Sequence, residues 1–327
     1  MALNANRIVW TNRSDSMSWR EQQLPEKEQI FLDHAGFFVH DIEAVGARLE
    51  ALGFTVQPVS VHYNEGPDGE LVRSGTANRL VTFESGYIEV LASVADTPLA
   101  DQLNASLARY EGLHLIALTH RDVASRDPAF AQAGFAMQPT VELRRNLDTP
   151  DGPQQVRATV ARCQPGVMPE GRAQMLTHGS PELIWLRGYD SHLNGVNALV
   201  EMLVVNDDPM EASQRYAAFS GCPAHARGDF HWVELDRGRL TFISPDVASA
   251  LLPNFSCPSL PFCAALVLRT PSLERMRAAL GNSDIVPLLD SDDLLIVGPE
   301  DGVGAYLVIQ TRAESDAWGV LQSLRDS

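Results

Sequence analysis

The chain has 327 residues, 45% of them hydrophobic and 20% charged, with a net charge of −17. That composition belongs to a globular protein long enough for two cores. The acidic balance argues against nucleic acid or an anionic membrane as partner, since both attract basic surfaces. No apolar run approaches a membrane span, and residues 1–30 contain no signal-peptide core. Cys163, Cys222, Cys257 and Cys263 show neither zinc-type spacing nor a disulfide framework, so a reduced, cytoplasmic setting is expected.

Residues 1–28 read as a polar arm. Residues 32–39 form an apolar, aromatic-rich run, the pattern of a strand buried on both faces. Asp41 stands where a helix N-cap belongs, Val45, Leu49 and Leu52 recur at helical spacing, and Gly53 is placed for a C-cap. Strands follow at 55–61, 78–83 and 87–92, the last two joined by the turn Glu84-Ser85-Gly86. The unit is βαβββ. It returns as a strand at 113–118, a helical stretch ending at Gly134, and strands at 140–147, 155–163 and 172–178. Gly53 lies 19 positions after His34, and Gly134 lies 20 positions after His114. Strand–helix pairs at 199–205 and 207–219, and at 264–268 and 272–280, open a third and a fourth copy. The expected fold class is α+β: four βαβββ modules paired into two cupped mixed-sheet barrels. Residues 29–187 make the N-terminal domain (modules 29–95 and 112–178). Residues 188–327 make the C-terminal one (modules 197–247 and 262–312), poor in ligand-type side chains, with a role in dimerisation or as a lid.

His34 and Glu89 stand inside otherwise apolar strands of the first copy, and His114 in a strand of the second. Setting Gly171-Arg172-Ala173-Gln174 against Gly86-Tyr87-Ile88-Glu89 puts Gln174 at the place of Glu89; a looser register uses Glu182 instead. The third copy has Thr241 there and the fourth Leu307 or Val308, while Val200 and Ala265 fall near the place of His34. A single strand histidine is more often a hydrogen-bonded core residue than a ligand, and a buried glutamate is costly unless paired. Ligand-type residues at matching points of two copies, absent from the other two, favour a shared site. Two sheets facing each other would gather His34, Glu89, His114 and Gln174 around one divalent ion, Fe(II), Mn(II), Ni(II) or Zn(II), with positions open to substrate. Glu89 is also the candidate catalytic base. Asn78, Arg79, Arg172, His178 and Glu182 are candidates to contact an anionic substrate or support the ligands, against a plain turn or connector role. Strand phase does not choose among Arg144, Arg145 and Arg157 as further lining residues. His40, His62, His120, His225 and His231 read as structural or surface groups. Neither Ser–His–Asp logic nor a phosphate-binding glycine loop is present.

Leu32-Asp33-His34, Val39-His40-Asp41, Leu52-Gly53-Phe54, Gly75-Thr76-Ala77-Asn78-Arg79 and Gly86-Tyr87-Ile88-Glu89-Val90-Leu91 together resemble the vicinal-oxygen-chelate superfamily, in particular its glyoxalase-like domain proteins. Gly112-Leu113-His114, His178-Gly179-Ser180-Pro181-Glu182 and His192-Leu193-Asn194-Gly195 are similar to the same group, and the likeness covers about residues 30–195. The resemblance implies cupped barrels of paired βαβββ modules. It also implies a divalent metal that chelates two neighbouring oxygens of a small-molecule substrate, held at the positions of His34, Glu89 and His114, with Gln174 departing from the usual Glu. Implied activities are glyoxalase-like lyase or isomerase chemistry, or ring-cleaving dioxygenation. The competing expectation is a resistance or binding protein of the same fold that holds a small molecule without turning it over. A homodimer is the expected assembly, with the C-terminal module pair as a candidate interface.

Overall fold

The computed structural model describes residues 23–66, 68, 70–149, 152–312 and 317–326. Most of the expected polar arm thus lies outside the described residues. Its last part is packed down: Gln23 is buried, its amide donating to the carbonyls of Phe83 and Glu84 and accepting from Gly86 N.

Strand β1 (Phe31–Phe38) is buried along its whole length, as its continuous apolar run requires. Helix α1 (Ile42–Ala51) follows, with Asp41 as N-cap accepting from the amides of Glu43 and Ala44. Strands β2 (Ser60–Glu65), β3 (Leu71–Thr82) and β4 (Tyr87–Ser93) complete the first unit. Helix α2 (Pro98–Leu107), N-capped by Thr97, leads into β5 (Gly112–Thr119). A 3-10 turn and the short α3 (Asp127–Gln132) precede β6 (Val141–Thr149), β7 (Gly152–Arg162) and β8 (Arg172–His178). These eight strands pair in the order β1-β4-β3-β2-β6-β7-β8-β5, and β5 pairs back onto β1, so the sheet closes into a mixed barrel. Closure needs close approach of β1 and β5. At Gly36 a Cβ would sit 2.6 Å from the Leu115 Cβ, so no side chain fits there.

The second half repeats the strand order without closing. Strands β9 (Ala198–Val205), β10 (Ala224–Arg227), β11 (Phe230–Glu234) and β12 (Arg239–Ile243) accompany α4 (Pro209–Ser220). Helix α5 (Pro245–Leu251) leads to β13 (Phe262–Arg269), α6 (Leu273–Leu280), β14 (Leu289–Asp290), β15 (Leu294–Val297), β16 (Tyr306–Gln310) and α7 (Ala317–Asp326). The order is β10-β11-β12-β9-β13-β16-β15-β14, and among the described residues β10 and β14 do not pair. One closed barrel and one open sheet therefore replace the two barrels expected. The pairing of Cys263 with Leu113 makes the two sheets continuous, and isolated bridges Phe31–Arg237 and Ser85–Ala198 also join the halves.

What fills the concave faces separates the halves. In the barrel, Leu103 and Leu107 of α2 pack with Phe38, Leu91, Leu115 and Leu176 at one end. Ile184 and Trp185 pack with Leu80, Tyr87 and Val156 at the other. A polar layer is left between these two apolar plugs. In the second half, α5 and α7 lie on the sheet and fill it with Leu251, Trp318 and Leu321 against Leu203, Val267 and Val308. No helix among the described residues is long and apolar enough to cross a membrane.

Candidate functional site

The polar layer is built by strand alternation. On β4, Tyr87, Glu89 and Leu91 face inward, and β1 lies parallel with His34 opposite Tyr87 and Gly36 opposite Glu89. The β1–β5 pairing slips between Leu32 and His34, leaving Asp33 as an extra residue. That bulge breaks the alternation and lets Asp33 join the same layer as His34. Asp33 Oδ2 accepts from His34 Nδ1 at 2.7 Å, and Asp33 Oδ1 lies 2.9 Å from His178 Nε2. The turn that feeds β4 is tight at this point: Gly86 has φ +73°, and a Cβ there would meet the Asp33 carbonyl at 2.9 Å.

His34 Nε2 lies 3.4 Å from Glu89 Oε2, with the His34 ring stacked on Tyr87 at 4.3 Å. At that separation the Nε2 proton has no hydrogen-bond partner of its own. Asn78 donates to Glu89 Oε1 at 2.6 Å. The surrounding cavity has about 60 Å³ of free space, and His62, Arg145, Arg162, Arg172 and Gln174 line it together with leucine and valine side chains.

The charges follow from burial and neighbours. Burial alone would raise the Asp33 carboxyl, but His178 and His34 outweigh it and hold it well below the usual carboxylate range. Burial would likewise lower His34, yet its contacts with Asp33 and Glu89 raise it to about 9. Glu89, despite burial, is lowered to about 2 by His34, His62 and Asn78. Burial lowers Arg162 to about 10, and burial with the nearby Arg162 lowers Arg172 to about 9; both stay charged at neutral pH. His62 is lowered to about 4 by burial and is neutral there. Three guanidinium groups and one imidazolium thus face two carboxylates, Asp33 and Glu89. The interior is cationic although the chain as a whole carries −17.

Of the residues singled out from the sequence, His34, Asn78, Glu89, Arg172, Gln174 and His178 line this cavity. His114, Arg79 and Glu182 do not. Strand register explains the first exception. Gly36 lies opposite Glu89, and Ala117 opposite Gln174, so Gln174 takes the place of Glu89 as the turn glycines indicated. But His34 pairs with Ala117 while Gly36 pairs with Leu115, so the two-fold counterpart of His34 is Leu115. His114 is the extra residue of a second β1–β5 bulge, between Leu113 and Leu115, and so matches Asp33 rather than His34. There its ring stacks on Tyr110 at 3.9 Å and its Nε2–H donates to the Tyr110 carbonyl at 2.8 Å. Arg79 faces outward, pairing with Glu43 and Glu50 of α1, while Glu182 is exposed. Asp33, His62 and Arg162 are the contributors that pattern reading missed, and Arg145 is the one arginine of its open group that joins Arg172.

A divalent ion between the modules would find His34 Nε2 and Glu89 Oε2 as donors, but His114 is turned away and Gln174 Oε1 accepts from Arg162 Nε at 3.2 Å. Among the described residues no three His, Cys, Asp or Glu side chains are gathered for a metal. Three arginines lining the same space repel a cation further. The residues present do not fit the metal centre that the resemblance implies.

A family model described as a glyoxalase-like domain matches residues 32–219. No curated protein matches the chain. Among solved structures, a hypothetical protein from Staphylococcus aureus superposes with TM-score 0.60 at 10% identity, covering 86% of this chain and 100% of that one. A mutant 4-hydroxymandelate synthase from Streptomyces coelicolor gives 0.53 at 14% identity, covering 90% and 99%. A fusion of a xylose isomerase-like TIM barrel with a 4-hydroxyphenylpyruvate dioxygenase gives 0.54 at 13% identity, covering 93% of this chain and 53% of that one. At such identities these structures share the fold.

Proposed function

The chain belongs to the glyoxalase-like domain family of the vicinal-oxygen-chelate superfamily, and from that premise we propose that its barrel carries out acid–base chemistry on a small carbonyl compound, of the isomerase or lyase kind. The observation that carries this reading is the His34–Glu89 pair at 3.4 Å, buried in the cavity, with Asp33 fixing the far nitrogen of the imidazole. His34 Nε2–H donates to the carbonyl oxygen. Glu89 Oε2 takes the proton from the adjacent carbon, the electron pair of that C–H bond becomes the C=C bond, and the C=O π pair moves to the oxygen, which takes up the Nε2 proton of His34 to give an enol. Return of a proton to the same carbon gives exchange. Where that carbon bears a hydroxyl the intermediate is an enediol, and protonation of the former carbonyl carbon, with the neighbouring hydroxyl giving up its proton to form the new carbonyl, completes an isomerisation. Asp33 accepts from His34 Nδ1 throughout and so keeps Nε2 as the donor. The apolar plugs at both ends keep bulk water from the enol.

The second reading is a binding protein without turnover. What favours it is the low proton affinity of Glu89, lowered to about 2, which makes it a weak base while the cavity is empty. Solvent-deuterium incorporation next to the carbonyl of hydroxyacetone and of α-ketoisocaproate, followed by NMR, separates the two. Acid–base catalysis predicts incorporation that falls about 100- to 10,000-fold in Glu89→Gln. Incorporation no faster than without protein leaves the binding role. Stoichiometric divalent metal in purified protein, lost in His34→Ala, would overturn the reading of the donor set.

A further inference from the structure

We infer that the ligand of the barrel cavity carries a carboxylate next to a compact apolar body, and that Arg145, Arg162 and Arg172 are the residues that select it. The inference rests on the cavity being the functional site, as argued above, and names the chemical class the site takes.

Burying a guanidinium is expensive unless carboxylates surround it. Arg145 is only 2% exposed, and its Nη2 has no hydrogen-bond partner. Arg172 is in the same condition at Nη2, its guanidinium lying over the Phe38 ring at 4.9 Å. Arg162 gives Nε to the neutral Gln174 amide. Among the described residues none of the three pairs with a carboxylate, whereas the outward-facing Arg79 pairs with both Glu43 and Glu50. Glu89 instead accepts from Asn78 and lies 3.4 Å from His34 Nε2. Arg162 and Arg172 are also close enough that each depresses the charging of its neighbour or is depressed by it. The barrel therefore keeps like charges together, with partnerless N–H groups on residues that line a cavity, and an anion is what relieves all of these costs.

The remaining lining sets the rest of the ligand. Leu80, Leu91, Leu99, Leu115, Leu143 and Val160 form the apolar walls. A sugar phosphate or a polyol would leave those walls against polar groups, whereas a carboxylate on a branched aliphatic or small aromatic body satisfies both. The anion also acts on the base: a negative charge near Glu89 raises its proton affinity.

The experiment measures binding rather than turnover, so it stands or falls separately from the acid–base reading. Titration calorimetry on the full chain compares α-ketoisocaproate with its methyl ester, which differs chiefly in charge. The acid should bind at least about tenfold more tightly than the ester, as charge-assisted hydrogen bonds require. Arg145→Met and Arg172→Met should each weaken the acid about 10- to 100-fold and leave the ester unchanged. The same variants should raise the ligand-free Tm, because each removes a buried charge without a counter-ion. Equal affinity for acid and ester in the wild type overturns the inference, as does acid binding that survives in both variants. Selective acid binding that survives in Glu89→Gln without deuterium incorporation in the wild type would leave this inference standing and remove the catalytic one.

Discussion

The barrel and the open sheet use the same strand order to opposite ends. In the barrel, β1 and β4 place His34 and Glu89 on the concave face, and apolar plugs cover only the ends. In the second sheet the counterparts are Glu201 and Thr241, since Leu203 lies opposite both Thr241 and Ala265, as Gly36 lies opposite Glu89 and Leu115. Yet α5 and α7 fill the whole face, and Trp318 Nε1 donates to Glu201 Oε1 at 2.6 Å. A cavity is thus made less by the strand positions than by what is withheld from them. The barrel leaves buried polar groups waiting for a ligand; the open sheet satisfies its one acid from its own chain.

The comparison can be broken most severely at Asp33. Asp33→Asn replaces the acceptor that orients His34 with a group that also donates, and deuterium incorporation should fall by as much as about 10,000-fold, the scale seen when a carboxylate behind a catalytic imidazole becomes an amide. On the other side, Trp318→Ala should cost about 3–5 kcal/mol of stability in chemical denaturation, while α-ketoisocaproate affinity stays within about twofold. A loss of affinity equal to the loss of stability would show that the filled half is not independent of the cavity.

Glu201 sharpens the contrast through pH. Burial raises its carboxyl to about 7, against the pull of Thr241 and Trp318. The folded state therefore holds this proton more tightly than the unfolded chain does. The stabilisation is complete below the ordinary carboxyl value, about 4.5, and is lost as pH rises through about 7. Glu201→Gln, which stays neutral, should raise Tm at pH 8 and change it little at pH 5, a difference on the order of a few kcal/mol. A constant offset at both pH values would place the acid in a solvated environment. The smallest effect belongs to His114: His114→Gln should leave α-ketoisocaproate affinity within about twofold, because that side chain faces Tyr110.

Much of this is legible in the sequence. The strand of residues 31–38, the Asp41 cap and the hairpin at Gly86 follow from local pattern, and the match of Gln174 to Glu89 follows from turn glycines. The misplacement of His114 was also visible, as the extra position between it and Gly134 compared with His34 and Gly53; Leu115 restores the spacing of 19. Alternating strands make one residue decisive, so equivalence between repeats has to be counted from turns rather than from matching residue types. Helices α2 and α5 stand outside the repeat pattern, although Thr97-Pro98 and Ser244-Pro245 carry the cap-then-proline signature of a helix start. Asp33 was hidden for a different reason: only the bulge, a property of pairing between two distant strands, brings it to the side of His34. The inward phase of Arg145 and Arg162 likewise depends on register across β6, β7 and β8.

The most direct test of the central claim, that His34 and Glu89 form the reacting centre and His114 stands outside it, is the rate of deuterium incorporation into α-ketoisocaproate by His34→Gln and His114→Gln side by side. The account predicts a fall of about 100-fold or more in the first and a rate within about twofold of wild type in the second. Equal losses in both variants, or a loss in His114→Gln alone, would contradict it.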